Sequence, residues 1–196
     1  MSITGGDARS MATGGKRART KAKLIEAAAA VIGKKGFDRA SLDEIAARAG
    51  MTRGAVYGNF KNKEELFLAV VTEFWKPILP PVDRSMSLRQ QMRILGQTVA
   101  REARARQHQA VAATAFQLYV LTHEEMRSQI SRKNAMVYRN LTRGMRKLIP
   151  EKDLPMPAEQ FVRVLDALTS GLMFTYFQTP ELISEELFVA AFEALV

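Results

Sequence analysis

The sequence predicts an all-α protein of about nine helices, and three observations support that prediction. Residues that favour helices (Ala, Leu, Glu, Lys, Arg, Gln and Met) dominate the 196-residue chain. The alternating apolar and polar pattern of half-buried strands is almost absent. Apolar residues recur instead at helical spacing, between capping residues and glycine or proline breaks. A hydrophobic content of 47% is enough to build a core.

The first 15 residues are predicted to be a disordered tail, because they consist mainly of Gly, Ser, Thr and Ala and carry no apolar stripe. A first helix follows, and Gly36 ends it. Its apolar face shows the i, i+4, i+7, i+8 spacing of one helical stripe, through Leu24, Ala28, Val31 and Ile32.

Three helix starts then follow in quick succession. Ser41, with a glutamate three residues on, forms a capping box that opens a short second helix. Gly50 closes that helix, and Thr52 is placed to cap the third. Asn62, also with a glutamate three residues on, opens a fourth helix, which prolines at positions 77, 80 and 81 end or bend.

The second half of the chain is predicted to contain the longer helices. Apolar spacing indicates helices around 88–99, 111–121 and 126–148. A proline-rich loop separates them from two C-terminal helices, over about 158–178 and 184–196.

The composition restricts the kind of partner and the compartment. A net charge of +9 and a pI near 10.0 favour an anionic partner, with nucleic acid first and a membrane surface second. The absence of cysteine excludes disulfides and thiolate chemistry and suggests a reducing compartment. No signal-peptide pattern is present, and no run approaches the roughly 18 apolar residues of a membrane span. We therefore expect a cytoplasmic protein with no membrane partner.

The second and third predicted helices form a helix-turn-helix, in which the second of the two enters the major groove of DNA. Helices this short are marginal unless they pack on larger neighbours. Gly54 and Gly58 would let the backbone approach DNA closely, while Arg53 could reach a guanine edge or a phosphate. Tyr57 could donate its hydroxyl to a phosphate, and the amides that follow Thr52 suit an anion.

The charge of this region agrees with a nucleic-acid partner. Residues 16–63 hold twelve lysines and arginines against four acids, which is nearly the whole surplus of the chain. The alternative is a solvated face with salt bridges, but here the charge, the turn and the helix caps coincide.

The stretch "SLDEIAARAGMTRGAVYGNFKNKEELFLAV" resembles the DNA-binding domain of TetR-family transcriptional regulators. That family shows Ala-Gly-(Val/Met)-(Ser/Thr), then Gly-x-(Val/Leu/Ile)-Tyr-x-x-Phe, then Lys-x-Lys-Glu-x-Leu, and the similarity extends from Thr20 to Val71. It implies a helix-turn-helix domain over 16–63 and a ligand-binding and dimerisation domain over 64–196. It also implies a dimeric repressor that binds a palindromic operator and is released by a small, largely apolar molecule.

The resemblance assigns DNA contacts to individual positions. Ser41 and Thr52 would cap helices and touch phosphates. The base edges would be read by Arg53, Gly54 and Ala55. The DNA backbone would be held by Tyr57, Asn59, Lys61 and Lys63, with an N-terminal arm of Lys16, Arg17, Arg19 and Thr20. Departures from the family pattern occur at Gly58 and Asn59, and Asp43 is expected to support the first turn of its helix instead of facing DNA.

The segment "LTSGLMFTYFQT", residues 168–179, is apolar on nearly every face and therefore has to be buried on all sides. One core cannot cover it, so the sequence predicts a homodimer interface, and small residues would allow close helix approach. The predicted interface residues are Ala167, Ser170, Gly171, Phe174, Leu187, Phe188 and Phe192.

An adaptable apolar pocket for a small molecule is predicted in the same half, since ten methionines and ten phenylalanines are available to line it. The predicted lining residues are Phe74, Trp75, Met92, Leu95, Phe116, Tyr119, Met136, Met173 and Phe177. The alternative for each of them is plain core. A further possibility is that one or two arginines of this half anchor a carboxylate or phosphate of an amphipathic ligand.

No catalytic constellation, cofactor or metal site is predicted. His108 and His123 are too few to indicate a metal site or a general base, and they resemble surface residues. Two alternative functions stay open: a basic architectural DNA-binding protein without an effector, and an enzyme or ligand carrier that keeps the helix-turn-helix as scaffold.

Overall fold

The computed structural model describes residues 7–74 and 76–196, and over these residues the chain is all-α, as predicted. Nine α-helices, joined by turns and three short 3-10 helices, account for the described fold. Their bounds are α1 Asp7–Lys35, α2 Leu42–Arg48, α3 Arg53–Tyr57, α4 Lys63–Phe74, α5 Leu88–Arg106, α6 Ala110–Thr122, α7 Glu124–Leu148, α8 Ala158–Gln178 and α9 Glu185–Glu193. None of these helices is both long and apolar enough to cross a bilayer.

Helix α1 corrects one prediction, because it begins at Asp7, inside the segment expected to be disordered. Residues 7–15 are helical, and residues 1–6 lie outside the described residues. Once the apolar face that starts at Leu24 has nucleated the helix, each preceding residue adds a backbone hydrogen bond at small entropic cost. Helix propagation therefore extends α1 beyond the apolar stripe, and the stripe by itself predicts too late a start for the helix.

The described chain divides into two compact units. The first contains α1 to α4, up to Lys76, together with Val111–Tyr119 of α6. The second contains Pro77–Ala110 and Val120–Val196. The break after Lys76 follows the end of α4, so the first compact unit contains α4 as well as α2 and α3. The inclusion of α6 residues in the first unit could not be read from chain order.

The core of the first unit is an aromatic cluster surrounded by aliphatic side chains. The ring of Phe37 lies with its centroid 4.0 Å from Phe67 and 4.0 Å from Tyr119. Phe116 meets Phe67 edge-on at 5.2 Å between centroids. All four rings are at least nine-tenths buried, and Val56 of α3 is fully buried. The aromatic cluster therefore joins α4 and α6 of this unit to the turn that follows α1.

The core of the second unit lies between α5, α8 and α9. Its fully buried side chains include Val99, Phe161, Phe188 and Phe192. Helices α5 and α9 approach closely at Gly96, where an added Cβ would lie 2.8 Å from the Cα of Val189. A side chain at that position would collide with backbone, so the glycine is a packing requirement.

This core corrects a second prediction. Phe188 and Phe192 were expected at a dimer interface, but they are 1% and 0% exposed and are packed inside the second unit of a single chain. That placement is wrong, because neither ring has surface left to offer a partner. A run of apolar residues on a C-terminal helix is explained here by intrachain burial.

Candidate nucleic-acid interface and apolar cavity

The turn between α2 and α3 is built by two helix caps and a glycine. Ser41 caps α2, its side chain accepting a hydrogen bond from the amide of Glu44 at 3.2 Å. Gly50 adopts a φ of +66°, which glycine tolerates at little cost. Thr52 caps α3 by accepting from the amide of Ala55 at 3.3 Å. These contacts confirm both predicted caps and fix the direction in which α3 leaves the turn.

One face of α3 is buried and the opposite face is open. Val56 points into the core, which leaves Arg53, Gly54 and Tyr57 exposed. Ala55 is half-buried. Gly54 leaves open space, since an added Cβ would meet only the Thr52 hydroxyl, at 3.7 Å. The exposed face therefore combines a cation, a phenol hydroxyl and backbone with little side-chain cover.

The guanidinium of Arg53 is held in place by two neighbours. Its Nη1 donates to Oδ2 of Asp43 on α2 at 3.1 Å, and its Nη2 donates to the hydroxyl of Tyr57 at 3.4 Å. The guanidinium carbon also lies 5.6 Å from the centre of the Tyr57 ring. The hydrogen bond to Tyr57, followed by the charge of Asp43, raises the pKa of Arg53. Asp43 thus lies in the first turn of α2, as expected, and in addition orients the arginine of α3.

Two residues assigned to DNA by resemblance are directed toward the protein instead. The Nδ2 of Asn59 donates to the carbonyl of Ala55 at 2.8 Å, closing the end of α3. The ammonium of Lys63 donates to the carbonyl of Asp38 at 3.1 Å and lies 4.4 Å from the centre of the Phe37 ring. Burial lowers the pKa of Lys63. Both groups are already engaged in the folded protein.

Lys61, Arg17 and Arg19 have exposed side chains. Lys61 is exposed, and its backbone amide is fixed by Oε2 of Glu65 at 2.7 Å. Arg17 and Arg19 are exposed on α1, and Thr20 beside them is half-buried. The Nη2 of Arg17 lies 3.5 Å from the carbonyl of Gly58, which brings the arm to the C-terminal end of α3. The side chain of Lys16 lies outside the described residues.

The contrast between Lys61 and Lys63 gives a paired prediction. Lys61→Gln is expected to weaken binding to all DNA sequences alike and to reduce the salt slope of binding by about 1. Lys63→Gln is expected to leave that slope unchanged and to lower the stability of the first unit by about 0.5–2 kcal/mol, through its lost carbonyl and ring contacts. Fluorescence anisotropy with labelled duplex at several salt concentrations measures the salt slope of DNA binding. Thermal unfolding of the same variants measures the change in stability. A reduced salt slope for Lys63→Gln would mean that its ammonium leaves Phe37 to bind phosphate.

The second unit contains an apolar cavity of about 500 Å³. It lies between the loop that precedes α5 and the helices α5, α7 and α8. Its apolar walls include Ile78, Leu79, Met92, Leu95, Leu141, Met145, Leu148, Val162 and Leu165. Polar groups are few and come from Gln91, Asn140, Asp166 and Thr169. Many apolar walls and a few polar groups are what a small-molecule site requires.

The predicted ligand residues divide into separate places. Met92 and Leu95 line the cavity. Phe116 and Tyr119 do not; they belong to the aromatic core of the first unit, so their assignment to a pocket is corrected. Met136 is 53% exposed on α7 and away from this cavity.

Met173 and Phe177 are also not among the residues that line the cavity. Met173 packs against the core of the second unit. The ring of Phe177 is half-buried, with its centroid 6.1 Å from Phe174. Phe74 ends α4, and its side chain and the whole of Trp75 lie outside the described residues.

The cavity residues that sequence reasoning missed come from a loop and from α7. The loop sequence "PILPPV", residues 77–82, places aliphatic side chains between prolines, where an exposed connection would be polar. That was an available signal. The stripe of Leu141, Met145 and Leu148 was recognised as a helix face, but its partner could be named only once α5 and α8 were positioned.

The other predicted dimer residues lie on the outer side of α8 and α9. Ala167 and Gly171 are exposed, and an added Cβ at Gly171 would meet no atom within 4 Å. Ser170 and Phe174 are half-buried, and Leu187 is 43% exposed. These residues leave a surface with small side chains and partly uncovered apolar groups.

Comparison with known proteins gives the family of the N-terminal domain. Residues 24–70 match the family described as "Bacterial regulatory proteins, tetR family". The HTH-type transcriptional regulator TtgR of Pseudomonas putida is 48% identical over 52 residues. That match covers 26% of this chain and 25% of TtgR, so the chain is matched along about a quarter of the relative's length.

Solved structures extend the likeness to the whole fold. A transcriptional regulator from Rhodococcus sp. Rha1 covers 89% of this chain and 92% of its own, with 23% identity and a TM-score of 0.65. NalD, the secondary repressor of the MexAB-OprM multidrug efflux pump in Pseudomonas aeruginosa, covers 91% and 97%, with 23% identity and a TM-score of 0.59. The resemblance to TetR-family regulators seen in the sequence is confirmed for residues 24–70, and the solved structures share the all-α fold.

Proposed function

We propose that the chain is a dimeric cytoplasmic repressor. The premise is that residues 24–70 form the DNA-binding domain of a TetR-family transcriptional regulator. In this proposal it binds a palindromic operator and is released by a small, largely apolar molecule. Repressors occur among its structural relatives, NalD being one. The helix-turn-helix domain is proposed to occupy 16–63, and the ligand-binding and dimerisation domain 64–196.

The observation that carries the DNA-binding part is the exposed face of α3. Arg53 stands in the first turn of that helix, with its guanidinium fork oriented by Asp43 and Tyr57. Two of its donors can pair with the O6 and N7 of guanine once the Asp43 contact opens. Lys61 and Arg17 flank this face and suit phosphates. The combination reads bases at the centre and holds the DNA backbone at the edges.

The dimer follows from the geometry of operators and from the outer side of α8. A two-fold dimer presents two α3 helices to half-sites one DNA turn apart, roughly 34 Å. The small residues Ala167 and Gly171 allow a second helix to approach closely. Phe174 and Leu187 offer apolar area beside them.

Selection from random duplex DNA with the purified protein, at near-physiological salt, tests the function. A recovered palindrome with half-sites about one turn apart is the expected result. Recovery of no motif, with binding that vanishes as salt rises, would contradict the proposal and indicate an architectural DNA-binding protein.

The effector is proposed to occupy the apolar cavity of the second unit. The loop 77–82, which supplies one wall, follows directly on α4 in the chain. A ligand that favours a different position of this loop is expected to change DNA binding about 5- to 150-fold, the range of a 1–3 kcal/mol coupling. The lining residues predict an apolar molecule with one or two polar groups.

A blocked cavity gives a direct prediction. Gly144 lines the cavity, and a Cβ there would meet no atom within 4 Å, so Gly144→Phe can place a ring in the open volume. We expect Gly144→Phe to abolish binding of the neutral apolar dye Nile red and to leave affinity for the selected operator unchanged. Gly144→Ala is the matched control, and it is expected to bind dye normally and to gain about 0.5–1 kcal/mol of stability. Undiminished dye binding by Gly144→Phe would exclude this cavity as the site.

A further inference from the structure

We infer that the second unit carries a separate site for a small polyanion, in a groove between α7 and α8. The groove has a volume of about 530 Å³ and shares no lining residue with the apolar cavity. Five cations line it, against a single carboxylate. The cations are Arg139, Arg143, Arg146, Lys147 and Arg163, and the carboxylate is Glu159. The ligand proposed here differs in chemistry from the apolar effector.

Most of the positive charge in the groove is uncompensated. Arg146 is neutralised, since its guanidinium meets Oε2 of Glu151 at 2.7 Å and Oε1 of Glu159 at 2.7 Å. Within residues 7–74 and 76–196, Arg139, Arg143 and Lys147 have no ion-pair partner. The one carboxylate of the lining is therefore already used. Arg163 also has no ion pair among the described residues, so four cations remain to receive an anion, three of them on α7.

The three unpaired cations of α7 form a row. Their i, i+4 spacing places them on one face of the helix, and like charges at that spacing repel and destabilise it. With a rise of about 1.5 Å per residue, the row from Arg139 to Lys147 is about 12 Å long. A bound anion would relieve the repulsion among these cations, and that relief would contribute favourably to the free energy of binding.

The wall opposite this row is fixed by a hydrogen bond inside the unit. Tyr138 of α7 donates its hydroxyl to Oδ2 of Asp166 on α8 at 2.7 Å. The guanidinium carbon of Arg163 lies 6.0 Å from the centre of the Tyr138 ring. Burial, with the Asp166 contact, raises the pKa of Tyr138 to about 12, so the hydroxyl stays protonated as a donor. Arg163 is thereby positioned on the α8 side of the groove.

The length of the row and the type of cation define the ligand class. Arginine pairs with phosphate oxygens through two parallel hydrogen bonds, which suits linked phosphates. A single phosphate or carboxylate reaches one or two cations of the row, whereas a chain of three phosphates can engage all of them. The site therefore fits a polyphosphate chain, either free or as part of a nucleotide.

Calorimetric titration of the full-length protein, without DNA and at constant ionic strength, tests the inference. The probes are inorganic tripolyphosphate, a nucleoside triphosphate and orthophosphate. Tripolyphosphate is expected to bind, and Arg143→Gln is expected to weaken that binding about tenfold or more, the loss of one charge-assisted pair. Arg132→Gln removes an exposed cation from the same helix outside the groove, and it is expected to change the affinity less than about twofold.

The comparison between probes and variants decides the outcome. Tighter binding of the nucleoside triphosphate would support a nucleotide, and equal binding would support the phosphate chain alone. Equal loss in Arg143→Gln and Arg132→Gln, or no loss in either, would overturn the site and place any bound anion elsewhere, such as at the DNA-binding face. If orthophosphate binds as tightly as tripolyphosphate, the inference that the row of cations engages a chain of linked phosphates is contradicted. Dissociation of Arg143→Gln into monomers in sedimentation, with no anion bound by the wild type, would make the groove a subunit contact instead.

Discussion

Arg53→Ala is expected to weaken binding to the selected operator by about 1–3 kcal/mol and to relax the preference at one base pair. The guanidinium is the exposed group of α3 that can make two hydrogen bonds to a guanine edge, and its fork is oriented by Asp43 and Tyr57. Alanine keeps the helix and removes both donors. Competition between operators that differ at single base pairs, read by anisotropy, gives the loss for each base.

Two further variants sharpen the result for Arg53. Arg39→Ala removes an exposed cation outside α3 and is expected to affect all DNA sequences alike or not at all. Asp43→Asn frees the guanidinium of Arg53 from its 3.1 Å ion pair. It is expected to raise the affinity for DNA in the wild-type background but not in the Arg53→Ala variant. Equal losses on every sequence for Arg53→Ala would remove it from base reading and leave it a phosphate contact.

Tyr119→Ala is expected to destabilise the first unit by about 3–5 kcal/mol, the usual cost of deleting a buried aromatic ring. The Tyr119 ring lies 4.0 Å from Phe37 and 5.1 Å from Phe67 between centroids, so its removal opens a hole in the aromatic core. DNA binding is expected to fall because the helix-turn-helix belongs to the same compact unit as that core. Dye binding in the apolar cavity is expected to persist, since Tyr119 is not among its walls.

Hydrogen exchange of the amides in α1 to α4, followed in the variant and the wild type, measures the effect of Tyr119→Ala. Tyr119→Phe keeps the ring and is expected to cost far less. Leu118→Ala, at a side chain that is 64% exposed on the same helix, is the control for changes in α6 itself. If hydrogen exchange in α1 to α4 is unchanged and dye binding is lost, Tyr119 contributes to the ligand site and not to the stability of the first unit.

The helix-turn-helix could be predicted from sequence because its determinants are local. Ser41 and Thr52 cap helices through amides three residues away, and Gly50 sets the turn through its own φ. Each of these signals lies within one turn of the residue it controls. The exposure of Arg53 also followed, since Val56 on the same short helix had to face the core.

The second half could be predicted only as a set of helices. Apolar spacing identifies a buried face, but it does not say which neighbour buries it. Phe188 and Phe192 fit a partner subunit and an intrachain core equally well, and the structure selects the core. Phe116 and Tyr119 follow α5 in the chain yet complete the first unit, because that unit's aromatic cluster needs rings that α1 to α4 do not supply. The sequence pattern assigns Lys63 to a phosphate, whereas in the structure its ammonium lies over the ring of Phe37 and donates to the carbonyl of Asp38.

The close approach at Gly96 has a consequence for how this chain can vary. An added Cβ there would lie 2.8 Å from α9 backbone, whereas at Gly144 it would meet nothing within 4 Å. Both glycines lie inside long helices, where alanine is the better helix former by about 0.5–1 kcal/mol. In a library that varies every position, position 144 is therefore free to drift toward alanine, and position 96 is held at one residue type. Composition alone does not distinguish the two positions, although position 144 tolerates a side chain and position 96 does not.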